Sequence, residues 1–316
     1  MKKSKLTIII PCYNEEKNIL NVYTRLVEVL DKINYDYSLL FVNDGSTDNT
    51  QKILEELYQK DERVKVIELS RNFGKESALT AGLDYAEGDI VIPFDADLQD
   101  PPEVILELLK KYEEGYEIVN AVRRKRKGDS FLKRATAKLF YKLMRAISNI
   151  DIPENSSDFR LISGDALKAV RRLRERKRFM KGIFSWVGFK TANVYYDRQP
   201  RFSGKTKWNY FKLLELSMDG ITSFSIVPLR LASLFGFIIS ILAFLFGIWI
   251  AFEKIFFGIP VPGYASVIVS ILFLGGIQLI FLGIIGEYIG RIYEEVKKRP
   301  IYIVRKYLDG KSRSKK

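Results

Sequence analysis

The segment "IPFDADLQDPPE", residues 92 to 103, places three aspartates and a glutamate just past a short apolar run. Side chains alternate along an extended chain, so Asp95 and Asp97 share one side and crowd like charges together. Such a pair either grips a cation or lies solvated at a strand end. Composition narrows the chemistry. The 316 residues include no histidine, which removes the commonest general base and the commonest transition-metal ligand. A metal site here has to be built from oxygen donors, which favours magnesium or manganese. The one cysteine, Cys12, cannot form an internal disulfide, which fits a reducing compartment. With no histidine to activate it, a thiol nucleophile is disfavoured.

The elements that must position the carboxylates alternate between strand and helix. "KLTIIIPCYNEE" opens with a β-branched apolar run, and residues 16 to 33 follow with helical spacing through Ile19, Val22, Leu26, Val29 and Leu30. "YSLLFVNDGSTDNT" is a second strand broken by Asp-Gly, with Ser46, Thr47 or Asp48 placed to cap a helix from about Thr50 to Gln59. "VKVIELS" is a third strand, "KESALTAGLDYAEG" a helix with Gly88 near its end, and "DIVIPFDAD" a fourth strand. Continuous apolar strands alternating with helices predict a parallel sheet covered on both faces. Ligands of open α/β sheets bind beyond the carboxyl ends of the strands. Three of those ends, "PCYNEE", "VNDGSTD" and "DADLQD", are polar and are expected to converge on one edge.

The formal net charge of +13 calls for anionic partners. Zinc-ligand spacing, a heptad-linked basic region and an RNA-stacking signature are all missing from the sequence, so nucleic acid is not an expected partner. Anionic membrane lipids and phosphorylated substrates are. From Leu231 to Phe252 there are 22 consecutive uncharged residues, and from Ile255 to Gly286 there are 32 more. About 20 apolar residues cross a bilayer core, so each run suffices, and neither lies at the N terminus as a signal peptide would. Ten of the 26 residues after Gly290 are Lys or Arg, against Lys254 alone in the connecting loop. The positive-inside rule then puts the N-terminal domain and the C terminus in the cytoplasm.

"IIIPCYNEEKNI", "FVNDGSTDNT", "SRNFGKESALTAGLDYAEGDIVIPFDADLQDPPE" and "SSDFRLI" resemble the family 2 glycosyltransferases of GT-A fold. Within them the resemblance is to the polyprenyl-phosphate branch, which holds dolichyl-phosphate mannose synthases and bacterial undecaprenyl-phosphate glucosyltransferases. It runs from about Leu6 to the end, since the two C-terminal spans also resemble the bacterial glucosyltransferases. The resemblance implies that Asp95, Asp97 and Gln99 hold Mg2+ or Mn2+, a role that hard oxygen donors suit. It implies that Pro11, Tyr13, Glu15, Val42 and Asp44 line the nucleoside pocket, that Ala96 lies against the nucleotide sugar, and that Arg123 faces the phosphates. Asp158 in "SSDFRL" matches an acidic position near the acceptor, as base, orienting group or structural partner of Arg160. Asp97 and Asp158 are the residues expected to carry catalysis.

The implied reaction is inverting transfer of a hexose from a nucleotide diphosphate sugar to polyprenyl phosphate. A lipid phosphate is already anionic, so no strong general base is demanded. Arg201, Lys205 and Lys207 in "QPRFSGKTKWNYFKLLEL" match a basic family segment and are expected to form a loop over the phosphates, leading into an interfacial helix. "FLKRATAKLFYKLMRAI" is either a second interfacial helix or a domain-packing one. Glucose from UDP-glucose is the first choice of donor and GDP-mannose the alternative. The competing expectations are a processive polysaccharide synthase, whose Q-x-x-R-W motif is missing from the sequence, and a non-catalytic membrane scaffold. Small residues Gly275, Gly276 and Gly283 permit close helix contacts, and a homo-oligomer is expected. The expected organisation is a cytoplasmic GT-A domain over 1–204, a loop and interfacial helix over 205–228, two transmembrane helices over 229–290, and a basic cytoplasmic tail over 291–316. The whole is expected to be a multi-pass protein of the cell (inner) membrane.

Overall fold

The computed structural model describes residues 4–124, 153, 156–198, 225–257 and 263–310. The first apolar run forms β1 (Lys5–Cys12), whose alternate side chains face the two sides of a sheet. Leu6, Ile8, Ile10 and Cys12 join one apolar cluster with Ile19, Val22, Leu26 and Leu30 of α1 (Ile19–Leu30). These are helix positions that the 3.6-residue spacing picks out. β2 (Asp36–Asn43), α2 (Thr50–Lys60), β3 (Val64–Leu69), α3 (Lys75–Tyr85), β4 (Ile90–Pro93) and α4 (Val104–Glu113) follow. β1 pairs parallel with β2 on one side and with β4 on the other, and β2 pairs parallel with β3. On the sheet's second face α3 packs almost flush: a Cβ at Gly82 would lie 2.2 Å from Ile9 Cγ2.

The expected parallel sheet holds for these four strands and changes character beyond them. β5 (Ile118–Arg123), β6 (Ser156–Ser163), α5 (Gly164–Arg172), α6 (Met180–Trp186) and β7 (Thr191–Tyr196) extend it. β6 runs antiparallel between β4 and β5, while β5 and β7 are parallel. The strand order is β7-β5-β6-β4-β1-β2-β3-β8. The last member, β8 (Val304–Leu308), lies in the segment expected to be a basic tail and pairs antiparallel with the edge strand β3. Tyr58 donates to the Asp309 carbonyl at 2.7 Å and Lys306 pairs with Glu55 at 2.7 Å. Partly buried Val304, Tyr307 and Leu308 and an open β3 edge draw this stretch into the sheet.

The chain divides into two compact units, one comprising 1–220 with 300–316 and the other 221–299. The second contains α7 (Val227–Phe257) and α8 (Tyr264–Val296), 31 and 33 residues long. At 1.5 Å per residue either exceeds the roughly 30 Å of a bilayer core. Both are long and apolar enough to cross a membrane, and their large apolar side chains are largely exposed. α8 continues past the expected end of the second span at 290 to Val296.

Candidate active site

The strand order reverses around β1, with β2 on one side and β4 on the other, and at such a point the loops beyond the carboxyl ends leave a crevice. The first two loops are stitched together. Asn14, at φ 55, accepts the Thr47 N–H at 2.8 Å, while its own N–H donates to Ser46 Oγ at 3.0 Å. The Glu15 N–H donates to Thr50 Oγ1 at 2.9 Å, and Asn18 donates to the Glu15 carboxylate at 2.6 Å. Asp44 reaches the third loop, where its two oxygens accept the Phe73 and Gly74 N–H groups at 2.8 and 2.9 Å. Burial raises the Asp44 carboxyl against those two donors. Gly45, at φ 67, lets the second loop touch the third, since a Cβ there would lie 2.4 Å from the Arg71 carbonyl carbon.

The acidic segment departs from the extended form expected of it. β4 ends at Pro93, and a turn with Leu98 at φ 52 separates Asp97 from Gln99. Asp97 accepts the Gln99 N–H at 3.2 Å. Asp95 faces Lys75, the first residue of α3, whose ammonium lies 2.7 Å from one carboxylate oxygen and 3.0 Å from the other. The same ammonium lies 2.9 Å from Asp158, on β6 beside β4. Burial would raise the Asp158 carboxyl, but Lys75 and Lys181 outweigh it and hold it well below the usual carboxylate range. It is therefore ionised at neutral pH. Among the described residues its second oxygen is buried without a hydrogen-bond partner, as is one oxygen of Glu76. Burial, then Asp158, push the Glu76 carboxyl up.

Arg160 is a different matter. Its guanidinium is wholly buried, donates to the Ser157 carbonyl at 2.8 Å and lies 4.4 Å from the Phe184 ring centroid. Burial lowers it to about 10. The ion partner of Asp158 among the described residues is Lys75 at the start of α3, rather than its strand neighbour.

Other expected site residues divide by side-chain direction. Pro11 is half-buried and Tyr13 is 36 % exposed at the edge, with Glu15 beside them. Val42 is fully buried and faces α3, so the side chain lines no open pocket and only its backbone is left to serve one. Ala96 is 5 % exposed and belongs to the apolar cluster, so it too offers backbone. Arg123 does not simply face the edge. Its Nη2 lies 3.3 Å from both oxygens of Asp100, and its Nε donates to Tyr196 Oη at 3.2 Å. Asp100 is 2 % exposed and accepts from Tyr196 Oη at 2.6 Å. Arg201, Lys205 and Lys207, with the helix expected over residues 131–147, lie outside the described residues. Cys12 is buried, and burial followed by Glu15 raises its thiol, in keeping with an inert role.

Sequence reasoning missed Lys75, Glu76, Asp100 and Tyr196. A usable signal existed for Lys75: "NFGKES" follows the third strand, whose carboxyl end shares the edge with the other three loops.

Among the described residues no three acidic, histidine or cysteine side chains converge to hold a metal by themselves. Two carboxylates and an amide are a partial oxygen set, the kind that magnesium completes with water and substrate phosphate. That Asp95 already draws an ammonium to within 2.7 Å shows that the position suits a cation.

Residues 7–171 match the family model described as Glycosyl transferase family 2. An uncharacterized glycosyltransferase of Synechocystis sp. is 53 % identical over 300 residues, covering 95 % of this chain and 94 % of the relative. The prophage bactoprenol glucosyl transferase homolog of Escherichia coli is 48 % identical over 302 residues, covering 96 % of this chain and 99 % of that one. The bactoprenol glucosyl transferase of Shigella phage SfII is also 48 % identical, covering 96 % and 98 %.

Proposed function

The chain belongs to glycosyl transferase family 2, and from that premise we propose that it moves glucose from UDP-glucose to polyprenyl phosphate with inversion. One observation carries the choice of acceptor and sugar: relatives named bactoprenol glucosyl transferase match it at 48 % identity from end to end. Asp95, Asp97 and Gln99 would hold Mg2+ or Mn2+, which supplies electrostatic stabilisation of the departing nucleoside diphosphate. A phosphate oxygen of the acceptor forms the new bond to the anomeric carbon. The bond from that carbon to the diphosphate oxygen breaks, and the nucleoside diphosphate leaves with the electron pair. No proton has to be removed from the nucleophile, which suits a chain without histidine. Asp158 stays ionised between Lys75 and Lys181 and orients the groups around the reacting centre rather than taking a proton.

Pro11, Tyr13 and Glu15 side chains, with the backbone of Val42 and Ala96 and the Asp44 loop, form the nucleoside side of the crevice. Arg201, Lys205 and Lys207 meet phosphates. The two apolar helices support membrane association; a multi-pass inner-membrane topology with both termini cytoplasmic, contacts with anionic lipids and a homo-oligomer complete the proposal. Purified protein incubated with undecaprenyl phosphate and a panel of labelled nucleotide sugars, with and without manganese, tests it. Metal-dependent formation of lipid-linked glucose from UDP-glucose is the expected result. A product from GDP-mannose alone would overturn the donor, and no lipid product from any donor would overturn the reaction.

A further inference from the structure

Beside the acidic loop, one buried carboxylate is shared by two guanidiniums. Asp100 is 2 % exposed, and its oxygens meet Arg123 Nη2 at 3.3 Å and Arg198 Nε at 4.0 Å. Tyr196, 6 % exposed, closes the arrangement by donating to Asp100 at 2.6 Å and accepting from Arg123 Nε at 3.2 Å. Asp100 balances one of the two arginines, and Asp97 of the acidic loop also acts on Arg198. The Arg123 side chain is 20 % exposed and that of Arg198 34 %, so both retain an accessible edge. Arg123 commits Nε and Nη2 to Tyr196 and Asp100, which leaves Nη1 directed elsewhere. Both guanidiniums lie within 4.0 Å of Asp100, so the two cations stand close together next to the acidic loop. Holding two like charges side by side is unfavourable unless an anion completes the set, and planar guanidiniums match phosphate oxygens in particular.

We propose that Asp100, braced by Tyr196, is a positioning residue that sets Arg123 and Arg198 as a two-guanidinium cradle for a substrate phosphate. This rests on the proposed transferase reaction for its two candidate sources, the acceptor's monophosphate and the donor's diphosphate. Resemblance points to Arg123 alone; Asp100, Tyr196 and Arg198 are added by the geometry.

Asp100→Asn, Arg198→Ala and Tyr196→Phe in the full-length chain test it through binding of undecaprenyl phosphate and, separately, of UDP with Mn2+, followed by KM and kcat for each substrate. Losing one charge-assisted contact should weaken one of these phosphates about tenfold in Asp100→Asn and Arg198→Ala. kcat at saturation should move less than about threefold, and the double variant should be little worse than either single one, because the carboxylate acts through the guanidinium. A loss confined to the lipid phosphate assigns the cradle to the acceptor, and one confined to UDP assigns it to the donor; either supports it. Unchanged affinity for both in Arg198→Ala overturns it, as does an Asp100→Asn whose only change is a lower Tm. Should Asp100→Asn fail to fold, Arg198→Ala and Tyr196→Phe decide. A wild-type protein that binds both phosphates yet transfers no sugar would sink the transferase proposal and leave the cradle to be judged on binding.

Discussion

Replacing Lys75 by methionine removes an ammonium that lies 2.7 Å from Asp95 and 2.9 Å from Asp158. Two limits bracket the effect. The lysine side chain is 48 % exposed, and exposed ion pairs contribute only about 0.2–1 kcal/mol. Asp158 pulls the other way: its side chain is 13 % exposed, and stripping the partner from a buried charge costs about 3–5 kcal/mol. Lys181 still faces that carboxylate, so it is not left uncompensated. A loss of about 1–2 kcal/mol follows, which for a domain of this size lowers Tm by roughly 2–8 °C. Thermal unfolding in detergent, followed by tryptophan fluorescence, measures it. Asp158→Asn should then restore part of the loss, because the neutral amide no longer needs the ammonium. The double-mutant cycle should show coupling of at least about 0.5 kcal/mol. A Lys75→Met protein that melts within about 1 °C of wild type, or strictly additive single variants, would refute the assignment of Lys75 as the link between the two carboxylates.

Asp97→Ala should lower sugar transfer by about 10²–10³-fold or more while the protein still inserts into membranes; turnover near wild type would remove Asp97 from the metal set. Gly45→Ala should destabilise the catalytic unit by about 1–3 kcal/mol, since it combines a left-handed backbone with contact against the Arg71 backbone, and chemical denaturation reads the shift. Asp61 offers a pH test. Burial would raise its carboxyl, but Arg63 and Tyr23 bring it from 3.8 down to about 2. The native state then binds fewer protons than the unfolded chain, so this contribution is present above pH 3.8 and is lost as pH falls through about 2. Asp61→Asn should flatten the acid limb of the stability profile over that window, and an unchanged limb in a pH series of melts would count against it.

Much of the catalytic unit was legible because its strands and helices are written in uninterrupted local patterns. The buried face of α1 is the same five residues that its spacing singles out. The edge where three polar loops meet follows from strand order alone once β1 lies between β2 and β4. What could not be read is whatever depends on partners far apart in the chain. Asp100 looks like a turn residue until Tyr196, 96 positions away, arrives on β7. Asp158 looks paired with Arg160 by strand alternation, yet Phe184 and a backbone carbonyl take the guanidinium, and β6 inserting antiparallel beside β4 delivers the carboxylate to Lys75. The alternation expected along Asp95–Gln99 failed for a local reason, a left-handed Leu98 that no propensity favours. Val42 and Ala96 belong to pocket-lining motifs, but burial turns their side chains away from any ligand.

The closing strand carries a consequence for how the polypeptide is made. β8 completes the sheet at β3, and Tyr58 meets a residue 251 positions downstream. At about 5–20 residues per second of synthesis, the β3 edge waits roughly 10–50 s for its last neighbour. Both long apolar helices leave the ribosome during that interval, because α7 and α8 precede β8 in the chain. The ribosome thus delivers both long apolar helices before it delivers the strand that seals the catalytic sheet. A nascent chain stalled before Pro300 carries every loop of the crevice but an unsealed edge, and such a chain is the form most exposed to strand-to-strand misassociation.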